Sequence, residues 1–152
     1  MDAVKLLMAD HKEVKSLFKQ YEDLGEKAQT KKKAISNKII LELKVHTQIE
    51  EEIFYPRVRE ATQSEKIKKL LNESVEEHHI VKILMSELEE RNSVDEIYDA
   101  KMTVLKESVD HHVKEEHEDL FPGAKKALDK NELEELGDEM EQRKEELKKA
   151  KK

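Results

Sequence analysis

Apolar residues recur every three or four positions along most of the chain, which is the spacing of one buried face on an α-helix. Sparse glycine, proline and capping signals divide this pattern into five stretches. They predict helices over residues 2–24, from about 30 to 56, 62–91, 93 to about 122 and 132–148. Because short loops between long helices make antiparallel neighbours, the expected fold is all-α. It is an antiparallel up-down-up-down four-helix bundle with an additional C-terminal helix.

Local signals predict where these helices begin and end. Gly25 is expected to end the first helix as a C′ glycine, and Pro56 to kink or end the second. Capping boxes are expected to start the third helix at Thr62–Glu65 and the fourth at Ser93–Glu96. An Asn131–Glu134 cap is expected to start the last helix.

The bundle is expected to occupy residues 1–128, and a charged C-terminal helix residues 129–152, packed on the bundle or extending from it. The few apolar anchors of this last helix are Leu133, Leu136, Met140 and Leu147. They favour a solvated helix that packs along one thin stripe and frays at 148–152. A helix for oligomerisation or partner docking is the alternative.

Composition excludes several classes of protein. The 152 residues contain no cysteine, which excludes disulfides, zinc–cysteine sites and cysteine-held iron–sulfur clusters. Three glycines leave no room for a P-loop or a dinucleotide-binding fingerprint. A net charge of −7 argues against a nucleic-acid partner. Without a membrane-length apolar stretch or a signal peptide, we expect a cytoplasmic protein with no membrane partner.

The chain contains seven histidines, and an internal repeat sets the positions of four of them. In each half a histidine precedes a glutamate by four residues and a proline by ten, at a constant offset of 66. These residues are His46, Glu50 and Pro56 in the first half, and His112, Glu116 and Pro122 in the second. A further histidine lies upstream of each motif, His11 in one half and His78 in the other, by 35 and 34 residues.

Helical phase places six polar residues on apolar, core-facing stripes. They are His11, His46, Glu50, His78, His112 and Glu116. Each unpaired buried polar group costs about 1–3 kcal/mol, and a bare carboxylate costs far more. A metal centre removes this cost because it takes imidazole nitrogens and carboxylate oxygens together. Metal binding is therefore favoured over a purely structural polar network.

The same helical phase distinguishes the three remaining histidines from these six residues. His79 and His111 each neighbour a core histidine, so we expect them at an edge or on the surface. His117 follows Glu116 directly, and it is either a neighbour of a ligand or an additional ligand.

Two further pairs of residues could also contribute to such a centre. Asp10 and Glu77 precede core histidines and could orient their rings, although surface carboxylates are the favoured interpretation. Tyr21 and Tyr55 are expected to be packing residues, and an acid–base role beside the site, shared with His117 as a candidate, is the alternative for each.

Nitrogen and oxygen donors suit a pair of first-row ions, with iron favoured over manganese or zinc. The Glu-x-x-His motif of ferritin-type bundles occurs only at Glu76–His79, off the core stripe, and the zincin motif is absent. The duplicated His-x-x-x-Glu motif, preceded by single histidines, resembles instead the hemerythrin-like HHE cation-binding family. The resemblance covers roughly residues 10–122.

The resemblance implies a non-haem di-iron centre with an oxo or hydroxo bridge, in which two iron ions are the cofactors and manganese or zinc lesser possibilities. The implied terminal ligands are His11, His46, His78 and His112, and the implied bridging carboxylates are Glu50 and Glu116. Oxygen-carrying hemerythrins have a fifth histidine where this chain has Ser74 or Lys82. Their fourth-helix carboxylate lies at the position of His117.

The implied function is binding of dioxygen or a related ligand, such as peroxide or nitric oxide, in sensing, storage or a stress response. A peroxide-decomposing di-iron enzyme and an iron storage or delivery protein are alternatives, as is a structural or adaptor bundle with an incidental metal. No catalytic residue is assigned. We expect a monomer or a weak homo-oligomer.

Overall fold

The computed structural model describes residues 1–151, which form α-helices and two π-helical turns without any strand. The elements are α1 (Ala3–Glu22), α2 (Gln29–Ile49), π1 (Glu50–Phe54), α3 (Tyr55–Ala61), α4 (Glu65–Glu89), α5 (Glu96–Glu115), π2 (Glu116–Leu120), α6 (Phe121–Ala127) and α7 (Lys130–Lys151). Each π turn joins its neighbours without a break, so the elements make five helical rods. The expected all-α bundle with a fifth helix is confirmed.

The two prolines do not end their rods, because a π turn precedes each of them. The Tyr55 N–H donates to the carbonyl of Glu50, five residues earlier, which is the π-helical pattern. Pro56 then lies in the first turn of α3, where its missing N–H removes no hydrogen bond within that helix. The expectation that Pro56 ends the helix was wrong, since the rod continues to Ala61.

The expected capping residues were wrong by two positions. Ser64 caps α4 by accepting from Ile67 N–H at 3.2 Å, and Asp95 caps α5 by accepting from Tyr98 N–H at 2.9 Å. At α7, Asp129 accepts from Glu132 N–H at 2.8 Å. The observed cap lies two residues later than expected at α4 and α5, and two residues earlier than expected at α7. The residues expected in this role were Thr62, Ser93 and Asn131.

The first helix ends close to the expected position, but without a left-handed glycine after it. α1 ends at Glu22 with Asp23 as its C-cap residue. None of the glycines in the described residues has a positive φ. The left-handed C′ role expected of Gly25 was therefore wrong.

The apolar core consists of two clusters with a polar layer between them. One cluster surrounds Phe54, Leu71 and Leu120 near α3 and α6. The other surrounds Met85 and Tyr98 near the opposite end of the bundle. The His–Glu layer lies between these two clusters.

Helix α7 packs on α1 and α2, which belong to the first repeat. Its four expected apolar anchors are buried. Gly137 meets the backbone at Met1–Ala3, so the two helices approach closely. Lys144 pairs with Asp10 of α1. α7 is helical through Lys151, and Lys152 lies outside the described residues.

No helix within residues 1–151 combines the length and apolar character that crossing a membrane requires.

Candidate metal centre

Six polar side chains meet in the layer between the two apolar clusters. They are His11 of α1, His46 at the end of α2, Glu50 of π1, His78 of α4, His112 of α5 and Glu116 of π2. Both glutamates are fully buried. The structure thus brings together all six residues that helical phase selected, one histidine from each of α1, α2, α4 and α5 and both glutamates.

The first repeat contributes one pair of imidazoles. The Nε2 atoms of His11 and His46 lie 3.2 Å apart. His46 Nε2 is 3.1 Å from Glu50 Oε1, and His11 Nε2 is 3.2 Å from Glu116 Oε1. This half therefore faces one carboxylate from each repeat.

The second repeat contributes a matching pair. The Nε2 atoms of His78 and His112 lie 3.1 Å apart. His78 Nε2 is 3.2 Å from Glu50 Oε1, and His112 Nε2 is 3.2 Å from Glu116 Oε1. Each glutamate thus contacts a histidine of each pair, so the two carboxylates connect the two halves of the layer.

The donor set fits a cation on its own chemistry. Both carboxylate oxygens of Glu50 and Oε1 of Glu116 are buried and accept no hydrogen bond from any described residue. A buried carboxylate without compensation is strongly unfavourable. Four imidazole nitrogens and these oxygens are ligands that first-row cations take together. The centre therefore fits a bound cation better than it fits a network of hydrogen bonds.

A second set of side chains holds the outer nitrogen, Nδ1, of every one of these imidazoles. The pairs are Asp10 with His46 at 2.9 Å, Glu77 with His112 at 2.8 Å, Glu51 with His78 at 2.8 Å, and His117 with His11 at 3.0 Å. A partner on Nδ1 fixes the ring and its tautomer and directs Nε2 at the cation. The four imidazoles are thus positioned with Nε2 inward.

These contacts correct and extend the interpretation from sequence. Asp10 is buried, at 3% exposed, and Glu77 is half-buried; each holds a histidine ring, so neither is a purely surface carboxylate. Sequence reasoning missed Glu51, which lies 66 residues before His117 and takes the same role in its own half. His117 contacts the Nδ1 side of His11, away from the cluster of Nε2 atoms.

Tyr55 belongs to the centre, and the expectation of a packing role was wrong. Its phenol donates to Glu116 Oε2 at 3.1 Å and lies 3.3 Å from Nε2 of both His78 and His112. Burial, Glu116 and Glu50 raise the pKa of Tyr55 well above its usual value, while the Ser74 hydroxyl opposes the shift. The phenol therefore keeps its proton in the cation-free protein.

The repeat is asymmetric at this position. Phe121 corresponds to Tyr55 at the same offset of 66, and its ring stacks on His11 as Tyr55 stacks on His78. The phenol is thus present beside only one pair of histidines. Tyr21 lies elsewhere, where it donates to Asp99 at 2.7 Å.

Charges inside the layer compensate one another. Burial lowers the pKa of His46, but Glu50 and Asp10 outweigh it and raise the value to about 10. Burial raises the pKa of Glu50, but His46, Glu116 and His112 together outweigh it and hold the pKa well below its usual value. Without a cation, the layer therefore holds protons on imidazoles beside ionised carboxylates.

A small apolar cavity touches the centre. Its volume is about 20 Å³, enough for one molecule the size of water. Its lining includes the four histidines of the centre together with Val14, Leu43, Val81, Val109 and Val113. An open cleft of about 610 Å³ between α1 and α5 shares part of this lining and reaches the surface at His117.

The two histidines expected at an edge or on the surface lie there. His79 is exposed, and the side chain of His111 is 67% exposed. Neither directs a ring nitrogen into the buried layer.

Two comparisons with known proteins give a match. The family model for the Hemerythrin HHE cation binding domain matches residues 2–124. The fold is similar to the crystal structure of a Hemerythrin HHE cation binding domain-containing protein from Mycobacterium kansasii, with a TM-score of 0.83 and 25% sequence identity. That match covers 99% of this chain and 89% of the other. No curated protein matches the sequence.

Proposed function

Because the chain belongs to the hemerythrin family of HHE cation-binding domains, we propose that its buried layer holds two iron ions that bind a small ligand. His11 and His46 would hold one ion, and His78 and His112 the other. Glu50 and Glu116 would lie between the ions and bind both.

The observation that carries this proposal is the arrangement of the two carboxylates. Glu50 and Glu116 each contact one histidine of each pair, while three of their oxygens accept no hydrogen bond from the described residues. A single ion would leave one pair of imidazoles and part of these oxygens without a partner. Two ions satisfy both pairs.

The size and lining of the cavity favour a ligand of two or three atoms. Iron supplies the ability to bind dioxygen or nitric oxide and to exchange electrons with it. The chain supplies a dry space of about 20 Å³ walled by valines and leucine, which admits a diatomic molecule and excludes larger substrates. The cleft at His117 gives such a molecule a short path from solvent.

A cavity-filling variant tests this function. Val109 lines both the cavity and the cleft, so Val109→Leu narrows the space without removing an iron ligand. We expect unchanged iron content and at least about tenfold weaker binding of nitric oxide or dioxygen. Val104→Leu, at an exposed position of the same helix, is the matched control. Unchanged ligand affinity in Val109→Leu at full iron content would contradict the assignment of the cavity.

Decomposition of hydrogen peroxide is a second candidate, favoured by Tyr55 and His117. The Tyr55 phenol donates to Glu116 inside the centre, and His117 lies where the cleft begins. Both side chains can donate or accept protons, which peroxide cleavage requires. Steady-state release of dioxygen from peroxide by the iron-loaded protein, lost in Tyr55→Phe and kept in Tyr21→Phe, would support this activity. No turnover would leave ligand binding as the function.

Iron storage or delivery makes a different prediction about capacity. The buried layer has ligands for two ions and a cavity too small for a mineral particle. Loading that continues well beyond two ions per chain would favour storage.

A further inference from the structure

A third group of ligating side chains lies outside the buried layer, at the surface between α4 and α5. His111 Nε2 is 2.8 Å from Glu115 Oε1 and 3.6 Å from Glu77 Oε2. One ligand atom from each of these three residues lies within 4.8 Å of the others. Two of the residues share the His-x-x-x-Glu spacing of the buried motifs, and the third comes from another helix.

A pair four residues apart on a helix is common at protein surfaces without any ion. The cluster differs from such a pair because Glu77 completes it from the neighbouring helix. Glu73 adds a further negative charge beside Glu115. The cluster therefore combines one imidazole with an excess of carboxylate charge.

In the first repeat, the carboxylate at the corresponding position is paired with a positive charge. Asp10 corresponds to Glu77, and one of its oxygens bonds to His46 Nδ1. Its other oxygen binds the ammonium group of Lys144 from α7. Glu77 likewise bonds to His112 Nδ1 through Oε1, while its Oε2 faces His111. The carboxylate oxygen that points away from the buried layer thus faces Lys144 in the first repeat, where it belongs to Asp10. In the second repeat it belongs to Glu77 and faces His111.

We propose that Glu77, His111 and Glu115 form a surface site for a divalent first-row cation such as Zn²⁺, separate from the buried layer. One imidazole nitrogen and two carboxylate oxygens suit this class of ion, and solvent completes its coordination. The cation takes the place that the Lys144 ammonium occupies in the first repeat. Glu77 faces the surface site through Oε2 and bonds to His112 Nδ1 through Oε1, so this one carboxylate connects the two sites.

Titration of the full, metal-free chain with Zn²⁺ tests the site, with calorimetry to count ions and NMR to follow the histidine rings. We expect His111→Ala to bind one ion fewer per chain, or to bind it at least about tenfold more weakly. Glu115→Gln, which keeps the shape of the side chain, should weaken the same ion. His79→Ala removes an exposed histidine one residue from a buried one and should leave the titration unchanged.

The outcomes distinguish this site from the buried centre. In His46→Ala the surface ion should remain, with the His111 ring signals still shifting on addition of Zn²⁺, whatever happens in the buried layer. Equal stoichiometry and affinity in wild type, His111→Ala and Glu115→Gln would overturn the proposal. Equal losses in His111→Ala and His79→Ala would also overturn it, because they would indicate non-specific binding to exposed histidines.

Discussion

At the scale of single residues, every buried imidazole has one nitrogen held and the other directed inward. Three of the Nδ1 partners are carboxylates and the fourth is His117. A carboxylate partner raises the basicity of an imidazole more than a neutral histidine does. The position of His11 therefore differs chemically from those of the other three ligands, although the repeat relates it to His78.

Removal of an inward-facing ligand should abolish binding of at least one ion. We expect His46→Ala and Glu116→Ala to purify with at most one tightly bound iron per chain, since each contributes atoms within the buried cluster. His79→Ala should retain the full complement. Metal analysis after desalting measures the difference, and full occupancy in either of the first two variants would refute the ligand assignment.

The raised pKa of His46 gives a signed pH dependence. In the cation-free protein its pKa is about 10, above the ordinary value of 6.5, so the ring is protonated at neutral pH. A metal ion binds only the neutral ring and must displace this proton. Between pH 6 and 8 the affinity for Zn²⁺ should therefore rise by at least about tenfold per pH unit. Zn²⁺ affinity that is constant across this range, without proton release in weak buffer, would contradict the assignment.

Helical phase was sufficient to select the six inward residues, because the four histidines lie in α-helices and each glutamate directly follows one of those helices, four residues after a histidine. It missed Tyr55 because the chain changes from α to π geometry at Glu50. In a π turn, residues five apart align, so Tyr55 follows Glu50 onto the site. No ordinary hydrophobic pattern marks this change, although a proline six residues after each glutamate is a usable signal.

At the scale of secondary structure, the π turns and helix α7 together position the candidate metal centre. At the π turn of the first half, two consecutive residues contact opposite sides of one imidazole, since Glu50 lies against Nε2 of His78 and Glu51 against its Nδ1. Helix α7 closes the outer face of the first repeat, and Gly137 allows its close approach to the backbone at Met1–Ala3. The sequence predicted the apolar stripe of α7. Its close docking could not be predicted, because it depends on a contact between the two ends of the chain.

Gly137→Ala tests the docking of α7. The added methyl group would overlap with backbone atoms of Met1–Ala3, which cannot move away by a change of side-chain rotamer. The free energy of unfolding should therefore fall by about 1–3 kcal/mol. Gly25→Ala is the matched control, since open space surrounds it and its φ is not positive. It should be neutral or stabilising by up to about 1 kcal/mol. Chemical denaturation measures both, and equal stabilities would show that α7 does not depend on this contact.

At the scale of the whole molecule, a duplicated helix pair encloses one polar layer between two apolar clusters. The duplication explains why the layer has two matched pairs of histidines and two shared carboxylates. It is also incomplete, because Tyr55 and Glu51 in one half correspond to Phe121 and His117 in the other. A metal ion that binds the folded layer and not the unfolded chain stabilises the folded state, so bound metal should contribute to the stability of the entire fold.

The iron content of the reconstituted chain tests the central claim most directly. Metal-free protein carrying His111→Ala, which removes the proposed surface site, is loaded with ferrous iron without oxygen, desalted and assayed for iron and protein. The account predicts two tightly bound iron ions per chain. A single ion, or none, would contradict it.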